Sequence, residues 1–242
     1  MSTVAVIAAY NEQQRIATTI NAIAKINDID SILVVDDGSK DETAREASAA
    51  GARVERLRRN MGKGAALTCA ITSLIDSEKS LPDFILLLDA DLGTSATQAA
   101  PLLWPLQNDI SDLVIGVLPK IAGSGGFGMV RSLASDAIAQ TAKLSGNHIY
   151  TLPANDSNNT SFRPLAPLSG QRAIRAALLP VLLPFAKGFG VEVSMTMRAL
   201  AAGMRVSEIP VELYHRTTGR NLRGFMHRGR QYLDVALAIR KA

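Results

Sequence analysis

The chain has 242 residues, 47% hydrophobic and 20% charged, with a formal net charge of +4. That is enough for one large α/β domain with a full core, and the composition is that of an ordinary globular protein. The mild charge argues against a general nucleic-acid binder, and a single cysteine, Cys69, excludes an internal disulfide and a thiolate metal cluster. No apolar run reaches the ~18 residues needed to cross a bilayer. The longest candidate, around Leu178 to Phe185, is broken by Pro180 and Pro184. Met1-Ser2-Thr3 leads straight into a short strand without a signal-peptide pattern. The expectation is a cytoplasmic protein, with peripheral contact to the inner face of a membrane and a homodimer both left open.

Thr3 to Ala9 reads as a buried strand ending at Tyr10-Asn11-Glu12, with helical spacing following through Ile16, Ile20, Ile23 and Ala24. Ser31 to Val35 is a second strand, closing on Asp36-Asp37-Gly38-Ser39, and Asp41-Glu42-Thr43 opens a helix that stops at Gly51. Arg53 to Leu57 alternates polar and apolar residues, as a more exposed strand does. Asn60-Met61-Gly62-Lys63-Gly64 then leads into an Ala-rich helix to about Ile75. A strand enters Asp89, a helix spans Thr94 to Leu106, and another strand spans Asp112 to Leu118. This alternation predicts right-handed β-α-β units and a mostly parallel central sheet flanked by helices. The second half is less regular. Glycines from Gly123 to Gly128 open a helix through about Lys143, and a polar loop covers Asn155 to Thr160. Helices start at Ala166 to Gln171 and at Gly188 to Glu192, a strand runs from Arg205 to Val211, and a basic, then amphipathic stretch follows to Ala242. The expected organisation is a single domain, 1–242. Residues 1–118 form its nucleotide-binding half, and 119–242 an acceptor half with a basic C-terminal helix.

The stretch Phe84-Ile85-Leu86-Leu87-Leu88-Asp89-Ala90-Asp91 organises the rest. An unbroken apolar run reads as a strand buried on both faces, and its carboxyl end is where open α/β sheets place ligands. Asp89 and Asp91 repel each other there, and a hard cation such as Mg2+ or Mn2+ relieves the conflict while leaving positions for diphosphate oxygens. The plain alternative is a polar turn with Thr94 or Ser95 as helix N-cap. Four strand ends carry polar clusters: Asn11-Glu12, Asp36-Asp37, Asn60 to Lys63, and Asp89 with Asp91. In parallel strands all four lie along one sheet edge. Asp36 or Asp37 can accept hydrogen bonds from a base or ribose. Lys63, at a glycine-flanked helix N-terminus, can meet a phosphate. Asp91 can hold a metal that bridges the diphosphate. Together they point to a nucleotide-diphosphate site.

Ala9-Tyr10-Asn11-Glu12, Val35-Asp36-Asp37-Gly38-Ser39, Asn60-Met61-Gly62-Lys63-Gly64 and Asp89-Ala90-Asp91 resemble the successive signatures of family 2 glycosyltransferases. The resemblance implies the GT-A nucleotide-sugar transferase fold. It implies Glu12 and Asp37 near the base, Lys63 near the nucleotide, and Asp89 and Asp91 at ribose, metal and diphosphate. Pro184-Phe185, Gly188 to Val193 and Val211-Glu212-Leu213-Tyr214-His215-Arg216 are similar to the glucosyl-3-phosphoglycerate synthases, which implies His215 as a further metal ligand. Pro167-Leu168-Ser169-Gly170-Gln171 resembles that family's acceptor segment. Phe127-Gly128-Met129-Val130-Arg131 departs from its Gly-Arg-Val-Thr pattern.

The candidate set follows. Asp91 and Glu192 are the catalytic candidates, with Glu192 as a base or as a first-turn acid favouring the helix dipole. Substrate-binding candidates are Ala9, Tyr10, Asn11, Glu12, Asp36, Asp37, Lys63, Asp89, Ala90, Gly170, Arg216 and Arg220, the arginines as guanidinium forks for phosphate or as a solvated basic face. Asp91 and His215 are the metal candidates, for Mg2+ or Mn2+. The expected partners are a nucleotide-diphosphate sugar, UDP-sugar favoured, and a small phosphorylated or lipid-phosphate acceptor. A polyprenyl-phosphate glycosyltransferase is the near alternative. A dinucleotide-binding oxidoreductase, on Gly123-x-Gly125-x-x-Gly128, and a non-catalytic nucleotide-sugar binder are the distant ones.

Overall fold

The computed structural model describes residues 1–77, 81–119, 128–153, 160–214 and 233–240. Strands and helices alternate through the first half: β1 (Thr3–Ala9), α1 (Ile16–Ile23), β2 (Ser31–Asp36), α2 (Thr43–Ala49), β3 (Arg53–Arg56), α3 (Lys63–Ser77) and β4 (Phe84–Asp89). A 3-10 helix (Gly93–Leu102), α4 (Trp104–Gln107) and β5 (Leu113–Val117) follow. Then come α5 (Gly128–Ser145), β6 (Ile149–Thr151), β7 (Thr160–Ser161), β8 (Arg172–Arg175), α6 (Leu179–Leu182), a 3-10 turn at Gly188–Gly190, α7 (Val191–Ala201) and β9 (Val206–Pro210). A last helical segment covers residues 233–239.

The strands form one sheet in the order β3-β2-β1-β4-β8-β5-β9-β6-β7. The pairings β1–β2, β1–β4, β2–β3, β5–β9 and β6–β9 are parallel, whereas β8 runs antiparallel to β4 and β5, and β7 to β6. The sheet is therefore mostly parallel, as its β-α-β alternation predicts.

The strands are apolar on both faces because both faces are covered. On one face Val4, Val6, Leu33, Val35, Ile85 and Leu87 pack with α3, α5 and α7. On the other, Ala5, Ile7, Val34, Leu86 and Leu88 pack with Ile16, Ile20 and Ile23 of α1 and with the 3-10 helix. Each fully buried leucine or isoleucine contributes about 1.5–3 kcal/mol by leaving water. In α1 the apolar stripe closes at Ile23; Ala24 is the exposed C-cap, and Ala22 takes the buried place.

Two expected helices differ. Residues 94–106 form a 3-10 helix with Pro101 inside it, then a short α-helix with a proline in its first turn. Pro101 and Pro105 lack the amide hydrogens that a continuous α-helix needs. The stretch at Ala166 to Gln171 opens a strand rather than a helix. β8 inserts between β4 and β5 with Arg172, Ala173 and Ile174 buried, and its ladders to strands on both sides hold the backbone extended.

Candidate functional site

The registers Ala9↔Asp36, Ala8↔Asp89 and Asp36↔Arg56 bring the carboxyl ends of β1, β2, β3 and β4 into line. The polar clusters of the sequence consequently share one rim. Asn11 opens it with φ of 56°, a left-handed conformation that asparagine tolerates. Its side chain accepts the Lys40 amide at 2.9 Å, and its own amide donates to Ser39 Oγ at 2.9 Å. The Glu12 amide donates to Thr43 Oγ1 at 2.8 Å, and Arg15 lies 3.6 Å from the Glu12 carboxylate. Ala9 is buried at the strand end and Tyr10 is exposed beside it.

Asp36 and Asp37 are both buried. Asp36 accepts the Ser39 amide at 3.0 Å and pairs with Arg56 Nε at 3.1 Å. Asp37 accepts the amides of Met61 and Gly62 at 2.7 and 2.8 Å. Both carboxylates thus hold loops of the rim in place, and Asp37 sets the chain that delivers Lys63 to the head of α3.

Lys63 is the centre of the site. Its ammonium donates to Asp89 Oδ1 at 2.7 Å and to Glu192 Oε1 at 2.9 Å. Asp89 ends β4 and Glu192 lies in the first turn of α7, so one cation joins the two halves of the chain. Burial alone would lower the Lys63 ammonium, but the Asp89 and Glu192 carboxylates outweigh it and hold the pKa above its ordinary range.

Gln171 and Gly170 complete the corner. The Gln171 carboxamide donates to Asp89 Oδ2 at 2.6 Å and accepts the Asp89 amide at 3.1 Å. A Cβ at Gly170 would stand 2.5 Å from Lys63 Nζ and 2.9 and 3.0 Å from the two Asp89 oxygens. A side chain at 170 would displace the tips of that ion pair. Arg172, 1% exposed, donates to the Ser169 carbonyl at 2.8 Å and to Thr196 Oγ1 at 2.9 Å, fastening the segment to α7. Burial pushes its guanidinium down to about 10, against the opposing pull of Glu192 and Glu208. Glu208 accepts the amides of Leu165 and Ala166 at 2.8 Å each, and burial raises its carboxyl.

The structure therefore brings Asp89, Lys63, Gly170 and Glu192 together and puts Asn11, Glu12, Asp36 and Asp37 along the same rim. Ala90 is buried and Asp91 half-buried just beyond β4. His215, Arg216 and Arg220 lie outside the described residues, as do most of the glycines from Gly123 to Gly128 and the polar loop after Ala154. Among the described residues no three His, Cys, Asp or Glu side chains cluster as a ready-made metal cage. No helix among them is long and apolar enough to cross a membrane. Sequence reasoning passed over Gln171 and Arg172 as site residues. Gln171 stood next to a flagged glycine, whereas nothing marks Arg172 apart from an arginine in an otherwise apolar short strand.

This geometry has close counterparts. The Glycosyl transferase family 2 model matches residues 4–164. Glycosyltransferase AglJ of Haloferax volcanii is 30% identical over 211 residues, covering 87% of this chain and 62% of that one. Glucosyl-3-phosphoglycerate synthase of Mycobacterium tuberculosis is 30% identical over 210 residues, covering 78% of this chain and 58% of that one. The chain thus spans about three fifths of the length of these curated relatives. The crystal structure of that synthase with Mg2+ and UDP superposes with a TM-score of 0.73 at 26% identity, over 98% of this chain and 79% of that one. Its complex with Mn2+, UDP-glucose and phosphoglyceric acid gives 0.72 at 25%, over 98% and 79%. With a sheet, a rim and a family model that agree over most of its length, the chain belongs to glycosyl transferase family 2.

Proposed function

We propose that this chain transfers a hexose from a UDP-sugar to a small phosphorylated acceptor, with a divalent cation at Asp91. The observation that carries this reading is the Lys63 bridge, which joins Asp89 at the end of β4 to Glu192 at the head of α7 through one ammonium. The described carboxylates, too few for a cage, suit Mg2+ or Mn2+, which are commonly held by one or two carboxylates together with substrate phosphates. Asp91 and His215 would hold the ion, which supplies positive charge to the departing diphosphate. The similar synthase structures hold Mn2+ with UDP-glucose and phosphoglyceric acid, which supports this choice of donor and acceptor class.

The chain's own groups do the rest. Gln171 and Lys63 fix Asp89 for the ribose side of the donor, and the loops set by Asp36 and Asp37 form the base end of the rim. The bond from sugar C1 to the diphosphate oxygen breaks and a bond from C1 to the acceptor hydroxyl oxygen forms. UDP leaves with the bonding pair. Glu192, bonded to Lys63, takes the proton released from that hydroxyl. Arg216 and Arg220 supply guanidinium forks for the acceptor phosphate.

The test is a transfer assay with UDP- and GDP-sugars, each offered phosphoglycerate, glycerol 3-phosphate or a polyprenyl phosphate. Metal-dependent transfer from a UDP-sugar to a small phosphorylated acceptor is the expected result. Transfer to polyprenyl phosphate alone overturns the acceptor class. Equal rates in excess chelator overturn the role of the cation.

A further inference from the structure

The bend that carries Asp91 is held by two hydroxyls that belong to none of the family signatures. Thr19 lies on α1 and is completely buried. Its hydroxyl donates to the Ala90 carbonyl at 2.8 Å and accepts the Gly93 amide at 2.9 Å. A single side chain therefore closes the bend on both sides of Asp91. Just beyond, Ser95 Oγ donates to the Leu92 carbonyl at 2.7 Å and accepts the Tyr214 amide at 3.1 Å. Tyr214 is the residue before His215 in the sequence. The two hydroxyls tie the bend to α1 on one side and to the chain beyond β9 on the other.

Packing alone does not call for this chemistry. Valine has the shape of threonine, so a merely space-filling position would not need the hydroxyl. Hard cations do call for it, because Mg2+ accepts little departure from octahedral geometry and its ligands must be held in place. Groups that orient metal ligands are typically worth 10–100-fold in metal affinity.

We propose that Thr19 and Ser95 are positioning residues for the cation, presetting the bend from Ala90 to Gly93 so that Asp91 meets a diphosphate-bound metal without rearrangement. This inference rests on the metal-dependent reading given above. Neither residue touches substrate; both act through Asp91 and the chain that leads to His215.

The experiment compares wild type, Thr19→Val, Thr19→Ser and Ser95→Ala. Mn2+ uptake in the presence of UDP is followed by the electron paramagnetic resonance of free Mn2+, UDP binding in excess chelator by calorimetry, and folding by Tm. Thr19→Val should weaken Mn2+ affinity about 10–100-fold. Thr19→Ser should recover it to within about threefold, since its hydroxyl can make the same two bonds. Ser95→Ala should weaken it in the same direction, and metal-free UDP binding should stay as in wild type for all three. Ser95 is only half-buried, so its variant carries the test if Thr19→Val does not fold. Lower Tm with unchanged Mn2+ affinity in Thr19→Val and Ser95→Ala overturns the proposal and leaves both hydroxyls structural. A wild-type protein that takes up no Mn2+ with UDP overturns the metal reading itself, and the positioning role with it.

Discussion

The parallel strands carry clustered opposite charges at both ends, and the two clusters are built differently. At the amino end, Arg205 pairs with Asp109 and Asp112 at 2.8 Å each, and Arg175 pairs with the same two at 2.8 and 3.4 Å. Arg205 also donates to the Asp109 carbonyl. Two guanidinium groups face two carboxylates, and Asp109 is 77% exposed. At the carboxyl end the Lys63 ammonium reaches two carboxylates, Asp89 and Glu192, from different halves of the chain, and the Glu192 side chain is only 8% exposed. The balanced cluster is a staple between strand ends. The second cluster joins a strand end to a helix N-terminus through a partly buried ammonium, at the sheet edge where open α/β folds place their ligands. Ion pairs by themselves do not mark a site; their place at the ligand end of a parallel sheet does.

Substitutions can break this contrast, beginning where the effect is largest. Asp91→Ala should lower transfer on the order of 10³-fold, because the ion supplies several kcal/mol of charge stabilisation, with Tm nearly unchanged. Steady-state rates alongside a thermal melt check this. Lys63→Met should leave Asp89 and Glu192 repelling each other. Breaking a buried pair costs about 3–5 kcal/mol, and the low end applies here because Lys63 is one-third exposed. Both kcat/KM and Tm should fall, whereas Asp91→Ala lowers activity alone. Gly170→Ala should push Lys63 away from Asp89 and reduce kcat/KM at least tenfold while Tm moves by only a few degrees. An unchanged KM for the donor in this variant would place the Lys63 bridge outside donor binding.

The smallest effect belongs to the staple. Asp112→Asn should lower stability by about 1–2 kcal/mol and leave activity intact. Its pH dependence has a definite sign. Burial raises the Asp112 carboxyl, but the Arg205 bonds outweigh this and hold its pKa below 3.8; the Arg205 bond lowers Asp109 too. The stabilisation is present above pH 3.8 and is lost as pH falls through the lower folded values. The Tm gap between wild type and Asp112→Asn should therefore be full at pH 7 and close below about pH 4.

Much of the rim could be read directly from the residues. Apolar runs ending in Asn11-Glu12, Asp36-Asp37 and Asp89 state both the strand and its polar end, and parallel order aligns them without further information. What local pattern could not show was β8. Arg172 to Arg175 is a short strand whose place between β4 and β5 depends on partners more than fifty residues away in sequence. With β8 hidden, the two-way bond between Gln171 and Asp89 was hidden as well, and so was the reason for a glycine at 170. The 3-10 helix after Gly93 escaped for a different reason: its apolar spacing is helical, and only the prolines decide which helix forms. Thr19 was invisible because a threonine inside an apolar helical stripe looks like any other small core residue.

The account stands or falls on whether a cation links this chain to a diphosphate. Titration calorimetry of UDP into the protein with Mn2+ and with excess chelator measures that link. The prediction is an affinity at least tenfold higher with Mn2+, with the gain abolished in Asp91→Asn. Equal affinities with and without the ion, or a gain that survives in Asp91→Asn, would contradict it.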